Sequence, residues 1–241
     1  ESSVKFIEKT KEPYLLFISH ESPHFPFQGP SDTAKNVTSE NWMDLDQDAY
    51  VAMIESLDSS VGQIVNAVEQ AGQRDNTAIV FVSDNGGFAN AANMGSLRGA
   101  KSMTFEGGIR VPLIISWPAK IQSGQTCDQV CITFDLTKSI LNLAGAENQP
   151  EQLDGYDIIS HLVERKPNSP RTLFWRGKRG ERVWKAVRHG DQKLVIKTGE
   201  PDQIKSVFDL SVDPAEHHDL KATNPKLTLQ LMGLLQSWES S

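Results

Sequence analysis

Asp84 and Asn85 stand side by side within AIVFVSDNGGFANAANMGSLRGAKSMTFEGGIRVP, the stretch from Ala78 to Pro112. They follow an apolar run and precede Gly86-Gly87. A carboxylate beside an amide oxygen offers two hard ligands to Ca²⁺ or Mg²⁺. Ca²⁺ takes about 6–8 oxygens, so two side chains supply only part of its shell. Asp, Asn and Gly are also the ordinary residues of turns, and that local role stands beside the metal one. Arg98 and Lys101 come next, in a loop containing Gly and Ser. Such cations can hold an anionic group, and Lys101 can offset charge developing on a leaving oxygen. The alternative for them is a solvated surface. Thr104 to Gly108 reads as a loop-shaping segment, with Arg110 pairing to Glu106. His24, between Pro23 and Pro26, is expected in a loop at the carboxyl end of a strand, where open α/β sheets place ligands. A lone histidine there is equally an ordinary loop or core residue.

The elements that must position these residues follow from hydrophobic pattern. Val4 to Glu8 reads as the tail of a helix. Tyr14 to Ser19 is apolar throughout, as expected of a central parallel strand buried on both faces. The two prolines of His20–Pro26 rule out helix and central strand alike. After a polar excursion over 27–46, Met53, Leu57, Val61, Ile64 and Val68 recur at helical spacing with Ile54 and Val65. Asp46 and Asp48 favour the start of that helix and Gly72 its end. With the strand Ala78–Val82 this predicts a right-handed βαβ unit. Val111 to Trp117 is a further strand. Asp135 opens a helix that ends at Gly145, Leu153-Asp154-Gly155 is a turn, and Ile158–Val163 is a short helical segment.

The polar stretch Glu164 to Pro170 is the expected boundary, dividing the chain into 1–165 and 166–241. Beyond it, Arg171–Arg176, Val183–Arg188, Lys193–Lys197 and Ser206–Leu210 alternate with turns at Arg179-Gly180, His189-Gly190-Asp191 and Gly199-Glu200-Pro201. That is the pattern of a four-stranded antiparallel meander. The amphipathic segment Pro225–Trp238 is placed to cover one face of it.

Composition narrows the partners. The 241 residues carry 24 Lys and Arg against 31 Asp and Glu, a net charge of -7. A general nucleic-acid binder needs the opposite surplus. No run approaches the roughly 18 apolar residues of a membrane span. The two cysteines, Cys127 and Cys131, cannot build a disulfide framework and read as reduced or buried thiols. Asn36-Val37-Thr38 has the form of a glycosylation sequon. A local cationic loop on an acidic body suits a small anionic substrate.

Ser83-Asp84-Asn85-Gly86-Gly87, Leu97-Arg98-Gly99-Ala100-Lys101, Thr104 to Pro112 and Trp117-Pro118 together resemble the type I sulfatases, in particular the arylsulfatase and N-acetylgalactosamine-6-sulfatase group. Pro23-His24-Phe25-Pro26, Leu153-Asp154-Gly155, Phe208-Asp209-Leu210 and Asp213-Pro214 extend the resemblance over nearly the whole chain. It implies an α/β fold of the alkaline-phosphatase type, partial here, with a mostly parallel sheet. A smaller C-terminal antiparallel sheet with a packing helix accompanies it. It also implies Asp84 and Asn85 as Ca²⁺ or Mg²⁺ ligands, Lys101 on the sulfate, and His24 on the sulfate or the leaving oxygen. Arg98 would be a further substrate-binding cation.

The family hydrolyses sulfate esters of glycans or aryl alcohols with a formylglycine made from Cys or Ser in Cys/Ser-x-Pro-x-Arg. No such motif occurs in these 241 residues. The expectation is therefore a sulfatase fragment whose formylglycine, N-terminal metal ligands and second lysine and histidine lie in an N-terminal part, inactive by itself. A homo-oligomer or a complementing N-terminal fragment would cover the sheet edge. The resemblance implies export, to periplasm, extracellular space or lysosome. The alternatives are a noncatalytic domain binding sulfated glycans or a partner, and a phosphoesterase relative, which the Lys101 loop disfavours.

Overall fold

The computed structural model describes residues 1–33, 37–147, 150, 153–199 and 203–241. Asn36 of the sequon, and Glu200 and Pro201 of the last expected turn, lie outside the described residues. Two compact units emerge: Glu1–Val80 with Ile115–Ser123, and Phe81–Ile114 with Gly124–Ser241.

In the first unit, α1 (Ser2–Lys9) and α2 (Gln47–Gln70) form where the periodicity places them. Asp46 caps α2 by accepting the Ala49 N–H at 3.0 Å, which satisfies one of the orphan donors of the first turn. Gly72, at φ 68°, ends it in the left-handed region. Ile7, Ala67 and Val68 are the centre of a cluster completed by Val4, Ile64, Ile79, Tyr14 and Leu16. The last two overturn one expectation. Tyr14 to Ser19 is not a strand buried on both faces, and it joins no ladder among the described residues. Tyr14 and Leu16 turn inward, whereas Leu15 is 68% and Phe17 86% exposed. The run keeps the period of two of extended chain but buries one face. The expected βαβ unit therefore lacks its first strand in the structure.

β1 (Ile79–Val82) and β2 (Leu113–Ser116) pair in a two-stranded sheet. Between them lies the short helix α3 (Glu106–Ile109), where the sequence suggested only a shaped loop. In the second unit, α4 (Thr133–Leu143) and α5 (Ile158–Glu164) are fastened by Asp135, which is fully buried. It accepts Ile132 N–H and Tyr156 N–H at 2.7 Å each, and Arg171 forks onto it at 2.6 and 2.8 Å. This bidentate geometry is the strong form of a carboxylate pair.

The meander is present as expected: β3 (Thr172–Arg179), β4 (Arg182–His189), β5 (Gln192–Thr198) and β6 (Ile204–Asp209), in that spatial order and antiparallel. Gly180 and Gly190, both at φ 59°, open its first two turns, as two-residue hairpins require. One face presents Val187, Leu194 and Val207 to Leu231 and Leu235 of α6 (Pro225–Glu239). The other presents Ala186, Val195 and Phe208 to Phe105. The architecture is thus α/β, with a four-stranded antiparallel sheet and its packing helix toward the C-terminus. No helix among the described residues is long and apolar enough to cross a membrane.

Candidate functional site

Phe81–Ile114 belongs to the same compact unit as the meander, and the loop carrying Asp84 and Lys101 is built largely from backbone. Ser83 Oγ donates to the Asn85 carbonyl at 2.9 Å and Asn85 N–H to Asp84 Oδ1 at 2.9 Å. This is the Asp-Asn turn that the residue types allow. Gly86 N–H then donates to Gly108 O at 3.0 Å, Lys101 N–H to Gly87 O at 2.9 Å, and Gly107 N–H to Arg98 O at 2.7 Å. Three segments are knitted into one surface: Asp84–Gly87, Arg98–Lys101 and α3.

Only glycines permit that knitting. A β-carbon on Gly86 would lie 1.8 Å from Gly107 O, and one on Gly107 2.3 Å from Gly99 O. One residue past Lys101, Ser102 sits at φ 74°, a left-handed conformation that costs a non-glycine residue about 1–3 kcal/mol. The surrounding hydrogen bonds over-determine it.

The site residues fall into three settings. Asp84 is exposed and Asn85 half-buried, so their oxygens suit a hard cation in kind while supplying a minority of its shell. Among the described residues no three His, Cys, Asp or Glu side chains gather as a metal cluster. Lys101 is half-buried and shares the glycine-built surface with them. Arg98 has structural partners of its own: its guanidinium lies 4.2 Å from the Phe105 ring centroid and donates to Glu216 O at 3.0 Å. That locks the start of the Lys101 loop, with further donors on the guanidinium fork.

His24 lies in the first unit, exposed, with its ring tilted against Phe25 at 4.2 Å. Its Nδ1 is 2.7 Å from Phe25 O. A carbonyl only accepts, so Nδ1 carries a proton, and in the neutral ring Nε2 is the acceptor.

What the sequence did not reveal is an ion cluster beneath the loop. Glu106, Lys193 and Glu216 are 2%, 0% and 0% exposed. Lys193 Nζ lies 2.8 Å from Glu106 Oε1 and 2.9 Å from Glu216 Oε1. The Lys193 ammonium is thus shared between the two buried carboxylates. Glu216 Oε2 accepts the Glu106 N–H at 2.6 Å and so caps the start of α3. Arg110 and Arg188 stand 3.9 Å from Glu106 Oε2, so the expected Arg110 pair exists as a minor member.

Burial pushes the Glu216 carboxyl above its ordinary range, against the pull of Lys193. Glu216 itself sits at φ 57°, in a turn held by Asp213, which accepts His217 and His218 N–H at 3.1 and 2.8 Å. One sign of the cluster was present in the chain: Lys193 falls on the inward phase of an apolar strand, in register with Phe208.

Comparison with known proteins bears on what this surface serves. Residues 1–146 match the sulfatase family model, and residues 99–237 match the C-terminal model of N-sulphoglucosamine sulphohydrolase. A sulfatase from Formosa agariphila is 30% identical over 98% of this chain and 48% of its own length. Arylsulfatase A from Homo sapiens is 28% identical over 93% of this chain and 43% of its own. The crystal structure of Ps i-CgsB superposes with a TM-score of 0.82 at 28% identity, covering 98% of this chain and 53% of that one. The chain thus spans about half the length of these curated relatives.

Proposed function

The chain belongs to the sulfatase family, and we propose that the surface from Asp84 to Arg110 is one wall of a site hydrolysing sulfuric esters. The observation that carries this is the glycine-built clamp. It holds the Lys101 backbone on Gly87 O, two residues from Asn85, so the lysine stem starts from the same clamped surface as the two oxygen-bearing side chains. In such a site the Lys101 ammonium pairs with the sulfate oxygens and offsets charge that develops as the S–O bond to the leaving group lengthens. Arg98 adds a second cation at the loop's start. By the family resemblance His24 would contact the sulfate or the leaving oxygen; its Nδ1 faces the Phe25 carbonyl, which leaves Nε2 for that contact. Asp84 and Asn85 would hold part of the shell of a Ca²⁺ or Mg²⁺ ion, which when bound polarises the sulfate.

These 241 residues contain no Cys- or Ser-x-Pro-x-Arg. The formylglycine nucleophile that the family resemblance calls for is therefore assigned to residues outside them, and hydrolysis to the longer protein. The division at 165/166 is kept as a proposal, with 1–165 bearing the site residues and 166–241 supporting them. Sulfate esters of a glycan or an aryl alcohol are the proposed substrates; a related structure at 27% identity contains k-i-k-neocarrahexaose. Export from the cytoplasm is proposed on the same resemblance. The absent nucleophile motif also favours a second reading, a domain that binds sulfated sugars without turning them over.

Titration of the 241-residue chain with inorganic sulfate, followed by calorimetry with an aryl sulfate assay in parallel, tests the proposal. Lys101→Ala is expected to weaken sulfate binding by about 10–100-fold, the value of one charge-assisted contact, with no turnover in either protein. Equal sulfate binding by both would sink the role of Lys101. Turnover by the chain alone, abolished in Lys101→Ala, would overturn the assignment of the nucleophile elsewhere.

A further inference from the structure

The β3–β4 hairpin concentrates positive charge on an otherwise acidic chain. Arg176 to Lys185 holds five cations and a single acid, Glu181 at the turn, within a protein of net charge -7. The register places Arg176 opposite Lys185 and Arg179 opposite Arg182. Like charges directly across a ladder destabilise it by a few tenths of a kcal/mol or more. The first pair is relieved, since both residues reach Glu239 of α6. The second has no ion pair among the described residues, and both side chains are exposed.

Strand alternation sends Arg179, Arg182 and Trp184 to the sheet face that packs on Phe105. There Trp184 meets the Phe105 ring edge-on at 5.5 Å, and Arg98 lies over that same ring at 4.2 Å. Lys197 stands directly across from Trp184 on β5. At about 3.3 Å per strand residue, the path from the Arg98 guanidinium through the two rings to Arg182 is on the order of 15 Å. Cations at both ends, with the buried Phe105 ring and the half-buried Trp184 ring between them, run outward from the Lys101 loop.

We infer that this face of the hairpin is a docking track for a sulfated polysaccharide, and the preference for sulfate over other anions rests on the function proposed for the adjoining loop. The half-buried Trp184 ring, backed by Phe105, offers aromatic surface to the apolar face of a sugar ring, and the exposed Arg179 and Arg182 suit anionic substituents carried at intervals along a chain. The patch is small and the rest of the molecule acidic, which fits a few sulfates on one oligosaccharide better than the unbroken phosphate run of a duplex.

Binding of the 241-residue chain to dextran sulfate, to unsulfated dextran and to duplex DNA of matched charge tests the inference. Dextran sulfate is expected to bind and the other two to bind at least about tenfold more weakly. Arg179→Glu/Arg182→Glu should weaken the dextran sulfate complex about tenfold or more and flatten its salt dependence by roughly two ions, one for each cation removed. Its thermal midpoint should hold; were it to fall, Arg179→Gln/Arg182→Gln carries the same test. Lys101→Ala should keep dextran sulfate within about threefold while losing inorganic sulfate. Undiminished dextran sulfate binding by the double variant, or tighter binding to DNA, overturns the track. Lost polymer binding in the double variant, with inorganic sulfate still bound by Lys101→Ala, would sink the loop's proposed role and leave the track standing.

Discussion

The Lys101 loop and the His24 segment are both polar excursions after apolar runs, yet they are held in different ways. The first is fastened through main-chain atoms: Gly86 to Gly108, Lys101 to Gly87 and Gly107 to Arg98. An ion cluster lies beneath it. The second is fastened by rings, with Phe25 against Trp42 at 4.8 Å and Phe27 against Tyr50 at 5.5 Å. It follows a run whose Leu15 and Phe17 face outward. Backbone contacts tolerate almost no change of shape, because atoms at van der Waals distance have nowhere to move. Ring contacts can repack. The difference separates a surface whose geometry is dictated within its own compact unit from one whose chemistry depends on what it meets.

The sharpest way to break that contrast is to remove the charge under the Lys101 loop. Lys193→Met leaves Glu106 and Glu216 buried without their cation and is expected to cost about 3–5 kcal/mol in urea unfolding. Adding Glu106→Gln and Glu216→Gln should recover most of it. A loss under 1 kcal/mol would show that the cluster does not hold the loop. A somewhat smaller effect is expected from the glycine contact. Gly86→Ala forces a β-carbon to 1.8 Å from Gly107 O and should cost about 3 kcal/mol. Gly62→Ala in α2, with nothing within 4 Å of its β-carbon, should instead stabilise by roughly 0.5–1 kcal/mol. Equal effects would erase the distinction. The smallest change belongs to the other region: Phe17→Ser, at an 86% exposed position, should leave the unfolding midpoint within about 0.5 kcal/mol. A larger loss would show that Phe17 is packed in solution.

Much of this was legible in the chain because it is local. The period of α2, each glycine-punctuated hairpin of the meander and the stripe of α6 announce themselves within a short stretch of chain, as does the turn at Asp84-Asn85. What escaped is non-local. Glu106 and Lys193 lie 87 positions apart, and Glu106 and Glu216 lie 110 apart. No window connects them, so Glu106 looked like part of a loop, and nothing in the chain showed that Arg98 also holds the Glu216 carbonyl and the Phe105 ring. Tyr14–Ser19 misled for a different reason. Apolarity states what a run can bury, whereas a ladder also needs a neighbour whose amides and carbonyls match its own.

The glycine contact at Gly86 and Gly107 has a consequence for how relatives of this chain could diverge. Where two main chains touch, no side chain is left for selection to exchange, and the surface can be inherited only whole. Gly180, at the tip of the β3–β4 hairpin, has nothing within 4 Å of a β-carbon placed on it, so residues could be inserted there at little cost. One compact unit therefore joins an immovable jaw to an adjustable one, and new preferences would be written at the hairpin tip while the glycines stayed as they are.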